Sequence, residues 1–202
     1  WSQFRGPGTD GNARGDLPRS RNKKTNIVWK AKVNDRGWSS PVIWKNQVWL
    51  TTALKDGRKL FAVCLDRKSG KVIHDLHIFD VEKPQRIATI NSYASPTPAI
   101  EDKRVYLQYG TYGTACLDTS TGRTIWARRG LNCDHEDSAG PGGSIFLMGD
   151  LLIMNVDGRD VQYVIALDKT TGKTAWKTTR SADYSKVPGN QRKAYCTPTL
   201  IP

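Results

Sequence analysis

The sequence predicts an all-β fold, on three observations. The element Asp-x-x-Ser/Thr-Gly-Lys/Arg recurs three times at a near-constant interval. The apolar residues between its copies alternate with period two or form short runs, never the helical period. Gly and Pro, 18 and 10 in number, fall mainly between those runs, where turns are needed. The copies start at Asp66, Asp118 and Asp168 and carry Gly70, Gly122 and Gly172. Four residues after each Gly stands His74, Trp126 or Trp176. A second recurring stretch precedes each copy: Ser39-Ser40-Pro41-Val42, Ala94-Ser95-Pro96-Thr97, a looser Gly142-Gly143-Ser144-Ile145, and Tyr195-Cys196-Thr197-Pro198.

In chain order, residues 1–26 read as a lead-in segment. Residues 27–33 (Ile-Val-Trp-Lys-Ala-Lys-Val) match an outer strand with no unit before it. The first unit, 38–78, divides into strands at 39–44, 47–54, 59–66 and 71–78. The second, 92–128, gives 95–100, 104–110, 113–118 and 123–128. The third, 140–178, gives 143–147, 150–156, 161–168 and 173–178, and a further unit starts over 194–202. Val, Ile, Tyr, Trp and Thr dominate these runs, as suits a pleated, half-buried surface. Antiparallel four-stranded repeats of roughly 50 residues mark a β-propeller, whose blades hide their edges by radial stacking. Segment 27–33 is then the strand that closes the ring. An open repeat array is the competing reading, but exposed sheet edges invite aggregation. The expected architecture is therefore about half of an eight-bladed propeller, whose remaining half is needed to close the ring.

The repeated turn has a physical reason. An Asp carboxylate accepts backbone N–H groups within the turn, and the Gly takes the positive φ that closes it. The aromatic residue that follows is expected to pack against the neighbouring unit. Asp66, Asp118 and Asp168 are thus scaffold residues and not catalytic candidates.

The chain of 202 residues carries a net charge of +12, which invites a nucleic-acid reading. The charge sits at the ends: residues 1–36 hold nine Lys/Arg and three Asp, and residues 177–202 hold five Lys/Arg and one Asp. The blades between are almost neutral, and no basic strip is interleaved with aromatics, so nucleic acid is not the expected partner. No apolar run approaches the ~18 residues of a membrane-spanning helix. Four Cys are too few for a disulfide scaffold, and none has paired zinc spacing.

The Ala-x-Asp-x-x-Thr-Gly-Lys-x-x-Trp pattern resembles the repeat of the pyrroloquinoline quinone (PQQ) propeller superfamily. Members include quinone-dependent alcohol dehydrogenases and the lipoprotein of outer-membrane barrel assembly. The opening Trp1-Ser2-Gln3-Phe4-Arg5-Gly6-Pro7 looks like the mature start of secreted bacterial PQQ-like repeat proteins, which implies a periplasmic or secreted location. The resemblance covers about residues 27–202. It implies two functions: a non-catalytic ligand- or protein-binding scaffold, or a PQQ- and Ca²⁺-dependent quinoprotein dehydrogenase oxidising alcohols or sugars. True quinoprotein dehydrogenases carry a vicinal Cys-Cys disulfide against the cofactor, and no Cys-Cys pair occurs here. The scaffold reading leads, with no assigned catalytic residue, metal or cofactor.

Loops on a rigid scaffold concentrate function. The loops joining one unit to the next share one face, around the mouth of the central channel, with the hairpins inside each unit. They carry the candidate contacts for a protein or small-molecule ligand: Trp38, Asn91, Tyr93, Cys133, Asp134, His135, Glu136, Asp137, Arg192, Lys193 and Tyr195. Residues 133–137 are the densest cluster, able to hold a metal, supply a base, touch a ligand or form a plain loop. Cys133 and Cys196 fall near this face and stay open as a possible disulfide. Cys64 and Cys116 share a repeat position with Ala166 and read as small core residues. His74 and His77 are expected as single side chains on opposite strand faces.

Overall fold

The period-two runs become strands. The computed structural model describes all residues except 14, 16, 17, 21, 23, 136–138, 201 and 202. Among these, three antiparallel sheets of four strands stand side by side. The first holds β1 (Val42–Trp44), β2 (Gln47–Ala53), β3 (Lys59–Asp66) and β4 (Val72–Asp80). The second holds β5 (Ala99–Glu101), β6 (Arg104–Gln108), β7 (Thr114–Asp118) and β8 (Thr124–Arg128). The third holds β9 (Phe146–Met148), β10 (Leu151–Asp157), β11 (Gln162–Asp168) and β12 (Thr174–Thr179). Each meanders in chain order, so β1, β5 and β9 are inner edges and β4, β8 and β12 outer edges. These are blades of a β-propeller, not closed into a ring.

Alternation places the core between blades. Trp49 and Leu60 of the first sheet meet Ile100, Val105 and Leu107 of the second. On the second sheet's other face, Tyr106 and Cys116 meet Leu152, Met154 and Ile165 of the third. Neighbouring residues of one strand, such as Val105 and Tyr106, thus serve opposite interfaces, so slipping the register by one residue would exchange both. Cys64, Cys116 and Ala166 occupy the same register position, opposite Trp49, Tyr106 and Ile153, and all three are fully buried.

Two recurring contacts tie blade to blade, and each explains one of the repeated stretches. The first is aromatic. The Trp126 indole covers Gly172 of the next blade and donates from Nε1 to the Lys169 carbonyl at 3.0 Å. Trp29 does the same to Gly70 and the Arg67 carbonyl, at 2.8 Å. His74 takes the corresponding place over Gly122, stacked on Trp49 with ring centroids 5.7 Å apart. His77 instead lies by Asp80, its Nε2 3.2 Å from Oδ1. The second contact is a belt of hydroxyls. The Ser40 amide donates to Thr97 Oγ1, the Thr97 amide to Ser144 Oγ, and the Ser144 amide to Thr197 Oγ1, at 3.0, 2.9 and 3.0 Å.

Residues 27–33 form no ladder among the described residues, where no strand stands for them to pair with. Trp29, Ala31 and Val33 pack on Val48, Val63 and Leu65 of the first sheet, while Val28 is exposed. Likewise residues 194–200 join the hydroxyl belt through Thr197 without forming a strand.

The Asp turns are built as their chemistry requires. Asp118 Oδ1 accepts from the Ser120 and Thr121 hydroxyls and amides at 2.6–3.0 Å, and Gly122 has φ 73°. These donors, led by the Ser120 hydroxyl, hold Asp118 down at about 2. Asp66 and Asp168 are also depressed, chiefly by the Ser69 and Thr171 hydroxyls. A carboxylate lowered in the folded state contributes stability that is present above its unfolded pKa of ~3.9 and lost as pH falls through the folded value. We expect the thermal midpoint to drop between roughly pH 4 and pH 2. Asp118→Ala should lower the midpoint at neutral pH and flatten the acid limb, as followed by circular dichroism.

Candidate functional site

The loops at the channel-mouth end of the sheets, 81–98, 109–113, 129–145 and 180–195, bring most of the candidate residues together. Their organiser is Gln85, which nothing in the sequence marks. Its amide N–H donates to the Tyr112 hydroxyl at 3.0 Å, and its carbonyl accepts from the Tyr93 hydroxyl at 2.8 Å. Its side-chain Nε2 donates to the Cys133 carbonyl at 3.2 Å, and Oε1 accepts from the His135 amide at 2.7 Å. One side chain thereby fixes the 129–145 loop against the preceding one. Asn91 adds a second tie, its Nδ2 donating to the Ala139 carbonyl and, at 3.3 Å, to that of Pro141. Gly110, at φ 60°, allows the close approach: a Cβ there would lie 2.6 Å from Pro141 Cβ and 3.4 Å from His135 Nε2.

Within this frame Cys133 Sγ and His135 Nε2 are 3.2 Å apart, both residues buried. Burial pushes the Cys133 thiol up to about 12 and, with help from the Lys193 charge, pushes the His135 imidazole below its usual value. The pair is therefore a neutral thiol beside a neutral imidazole, not the thiolate–imidazolium pair of an activated nucleophile. It lines a cavity of about 20 Å³ with Gln108, Gly143, Asn155 and Asp157. Gln108 Oε1 and His135 Nδ1 are buried there without a partner among the described residues. Asp157, 3 % exposed, is held by Arg180, whose Nε and Nη2 donate to its two oxygens at 2.7 and 2.6 Å.

The other candidates lie further out. Asp134 pairs with Arg159 at 3.6 Å, and its amide donates to Asp160 Oδ1 at 2.8 Å. Lys193 Nζ donates to the His135 carbonyl at 3.4 Å, Arg192 Nε to the Val187 carbonyl at 2.7 Å. Tyr195 rests over Gly142 and is 37 % exposed. Trp38 stands apart, half in solvent beside the exposed Ile90, whose carbonyl accepts from its Nε1 at 2.7 Å. Glu136 and Asp137 lie outside the described residues. Cys133 and Cys196 are free thiols, and Cys196 Sγ lies 3.1 Å from Asn155 Nδ2. We expect a thiol reagent to modify Cys196 alone in the folded protein. Cys64, Cys116 and Cys133 should react only on unfolding, as read by mass spectrometry after timed alkylation.

Comparison with known proteins places the chain. A family model described as outer membrane protein assembly factor BamB matches residues 22–178. The chain belongs to this PQQ-like repeat family. No curated protein sequence matches it. Among solved structures, quinohemoprotein alcohol dehydrogenase from Comamonas testosteroni aligns with a TM-score of 0.53 at 16% identity, over 76% of this chain and 22% of that one. A europium-containing methanol dehydrogenase aligns with a TM-score of 0.50 at 15% identity, over 81% and 27%. BamB from Moraxella catarrhalis aligns with a TM-score of 0.44 at 17% identity, over 79% and 42%. The chain thus spans well under half the length of these structures, and the first two show its fold alone. No described helix is long and apolar enough to cross a membrane.

The cofactor of the dehydrogenase branch can be tested against the residues present. Ca²⁺ beside a quinone needs ~6–8 oxygen ligands, largely carboxylates and carbonyls. Among the described residues no three His, Cys, Asp or Glu side chains converge on one point. Asp157 is occupied by Arg180 and Asp134 faces Arg159. The cavity lined by Cys133 and His135 is close to the size of one water molecule, far short of a fused-ring quinone, and it shares Gly142 with a wider cavity of about 350 Å³ bounded by Gln3, Thr9 and Tyr195.

Proposed function

We propose that this chain is part of a non-catalytic binding propeller, acting in the periplasm or outside the cell, whose loop face docks a protein partner. The observation that carries this reading is the division of labour on that face. The groups with chemical potential, Cys133, His135 and Asp157, are buried, neutral or already paired. Trp38, Ile90 and Tyr195, on loops leaving the same end of the sheets, are held by neighbours yet present apolar surface to solvent. Aromatic residues fixed in this way are the usual anchors of protein interfaces. Arg192 and Lys193 add a basic rim suited to an acidic partner surface. The family's description as an assembly factor supports a protein partner over a small ligand.

The test is site-specific photocrosslinking in the native cell envelope. A photoreactive residue at position 38 or 195 should trap a discrete adduct, and one at Lys103 on the opposite face should not. Charge reversal of Arg192 and Lys193 should weaken an adduct to an acidic partner. Equal trapping from both faces would overturn the reading. So would retention of added PQQ and Ca²⁺ with dye-linked alcohol oxidation, which is the outcome a quinoprotein dehydrogenase requires.

A further inference from the structure

The first three residues make a pattern that the family match, which starts at residue 22, does not cover. Each sheet presents its inner edge to the centre, and an edge strand carries backbone N–H groups with no partner in its own sheet. Ile43, Ile100 and Leu147 are the middle residues of β1, β5 and β9, each followed by the same two-residue turn to the next strand. Three consecutive residues satisfy these three equivalent donors. The Ile43 N–H donates to the Trp1 carbonyl at 2.8 Å, the Ile100 N–H to the Ser2 carbonyl at 2.8 Å, and the Leu147 N–H to Gln3 Oε1 at 2.9 Å. At the third site the contact passes from main chain to side chain, where the segment turns and the Gln3 carbonyl accepts from the Gly6 N–H at 2.9 Å.

That turn is part of the fit. Gly6 has φ 78° and lies against the Trp1 indole, where a Cβ would come within 2.9 Å. The Thr9 N–H closes on the Gly6 carbonyl at 3.1 Å, and Thr9 Oγ1 reaches Thr199 Oγ1 at 2.7 Å. Thr199 stands two residues past Thr197, the fourth member of the hydroxyl belt. Gln3 is 6 % exposed, a buried polar side chain whose Oε1 is satisfied by the Leu147 N–H. The segment touches every described blade at its inner edge, one residue to a blade.

We infer that the inner edges of the blades form a binding groove for a short peptide, and that residues 1–9 of this chain are its occupant, a separable clamp whose first three residues cross successive blades before the segment turns. The groove reads main-chain geometry at the first two blades and a glutamine amide at the third. Its recognition uses the unpaired N–H groups of sheet edges, one donor to a blade, with a single specifying side chain.

The test keeps the full chain and cuts it. A specific protease site is inserted after Asn12, which is exposed, so that residues 1–12 become a free peptide after folding. The cut peptide should co-elute with the blades and exchange with a labelled synthetic copy. A Gln3→Leu copy should bind roughly tenfold more weakly, because it leaves the Leu147 N–H buried and unpaired. Should cutting unfold the protein, refolding on addition of the wild-type peptide and not of the Gln3→Leu peptide supports the clamp. Departure of the peptide with an unchanged thermal midpoint overturns it, as does equal binding of the two peptides. Unfolding that neither peptide reverses also overturns it.

Discussion

Arg180→Met is expected to destabilise the protein by about 3–5 kcal/mol, the range for removing one partner of a buried ion pair. The Asp157 side chain is 1% exposed, so its charge is tolerable only because Arg180 meets it with two parallel hydrogen bonds. Methionine retains much of the side-chain volume and supplies no donor, leaving a bare carboxylate beside the cavity shared with Gln108 and His135. Arg180→Lys keeps the charge but not the paired geometry and should fall between wild type and Arg180→Met. Urea unfolding of the three proteins measures both effects. Wild-type stability in Arg180→Met would show that the ion pair contributes nothing to the fold.

The fold was legible because it is written three times. One Asp-x-x-Ser/Thr-Gly turn is ambiguous; three at equal spacing, each followed by an aromatic residue, define a unit and its contact with the next. The order of the strands followed from period two, although the inner strands expected at 39–44, 95–100 and 143–147 shorten to Val42–Trp44, Ala99–Glu101 and Phe146–Met148, because the residues before them serve the hydroxyl belt instead of a ladder; the common position of Cys64, Cys116 and Ala166 followed from alignment. The hydroxyl belt was visible only as an unexplained recurrence, because the Thr97, Ser144 and Thr197 hydroxyls act by accepting from the amides of Ser40, Thr97 and Ser144. The site was harder for the opposite reason. Gln85, Gln108, Asn155 and the Asp157–Arg180 pair each occur once, on different blades, and only the folded chain brings them together. Residues 133–137 stood out because their side chains are reactive types, with a ligand cluster and a plain loop both open. The structure buries Cys133 and His135 as a neutral pair and turns Asp134 to Arg159. Spacing along a loop does not predict convergence, since successive residues point apart.

Gly172→Ala is expected to cost about 3 kcal/mol, and about half of that cost should depend on a residue 46 positions away in the sequence. Gly172 has φ 70°, where an L-residue with a Cβ loses roughly 1–2 kcal/mol. The added Cβ would also lie 2.7 Å from the Trp126 ring, closer than real contacts allow. The indole must lift, which stretches its 3.0 Å bond to the Lys169 carbonyl and opens the interface between second and third blades. Trp126→Ala alone should cost about 3 kcal/mol, the lower end for removing a tryptophan, because this ring is only partly buried. Combining the two separates the contributions. With the ring absent, Gly172→Ala retains only its backbone strain, so the double mutant should be more stable than the sum of the singles by about 1–2 kcal/mol. Gly149 supplies the control: φ is 56° and nothing lies within 4 Å of a built Cβ, so Gly149→Ala should show the strain and no coupling to Trp126. Additive losses at Gly172 and Trp126 would mean that the ring only covers the turn. Coupling would establish that the repeated aromatic holds one blade to the next, the role that Trp29 over Gly70 and His74 over Gly122 repeat at the earlier joints.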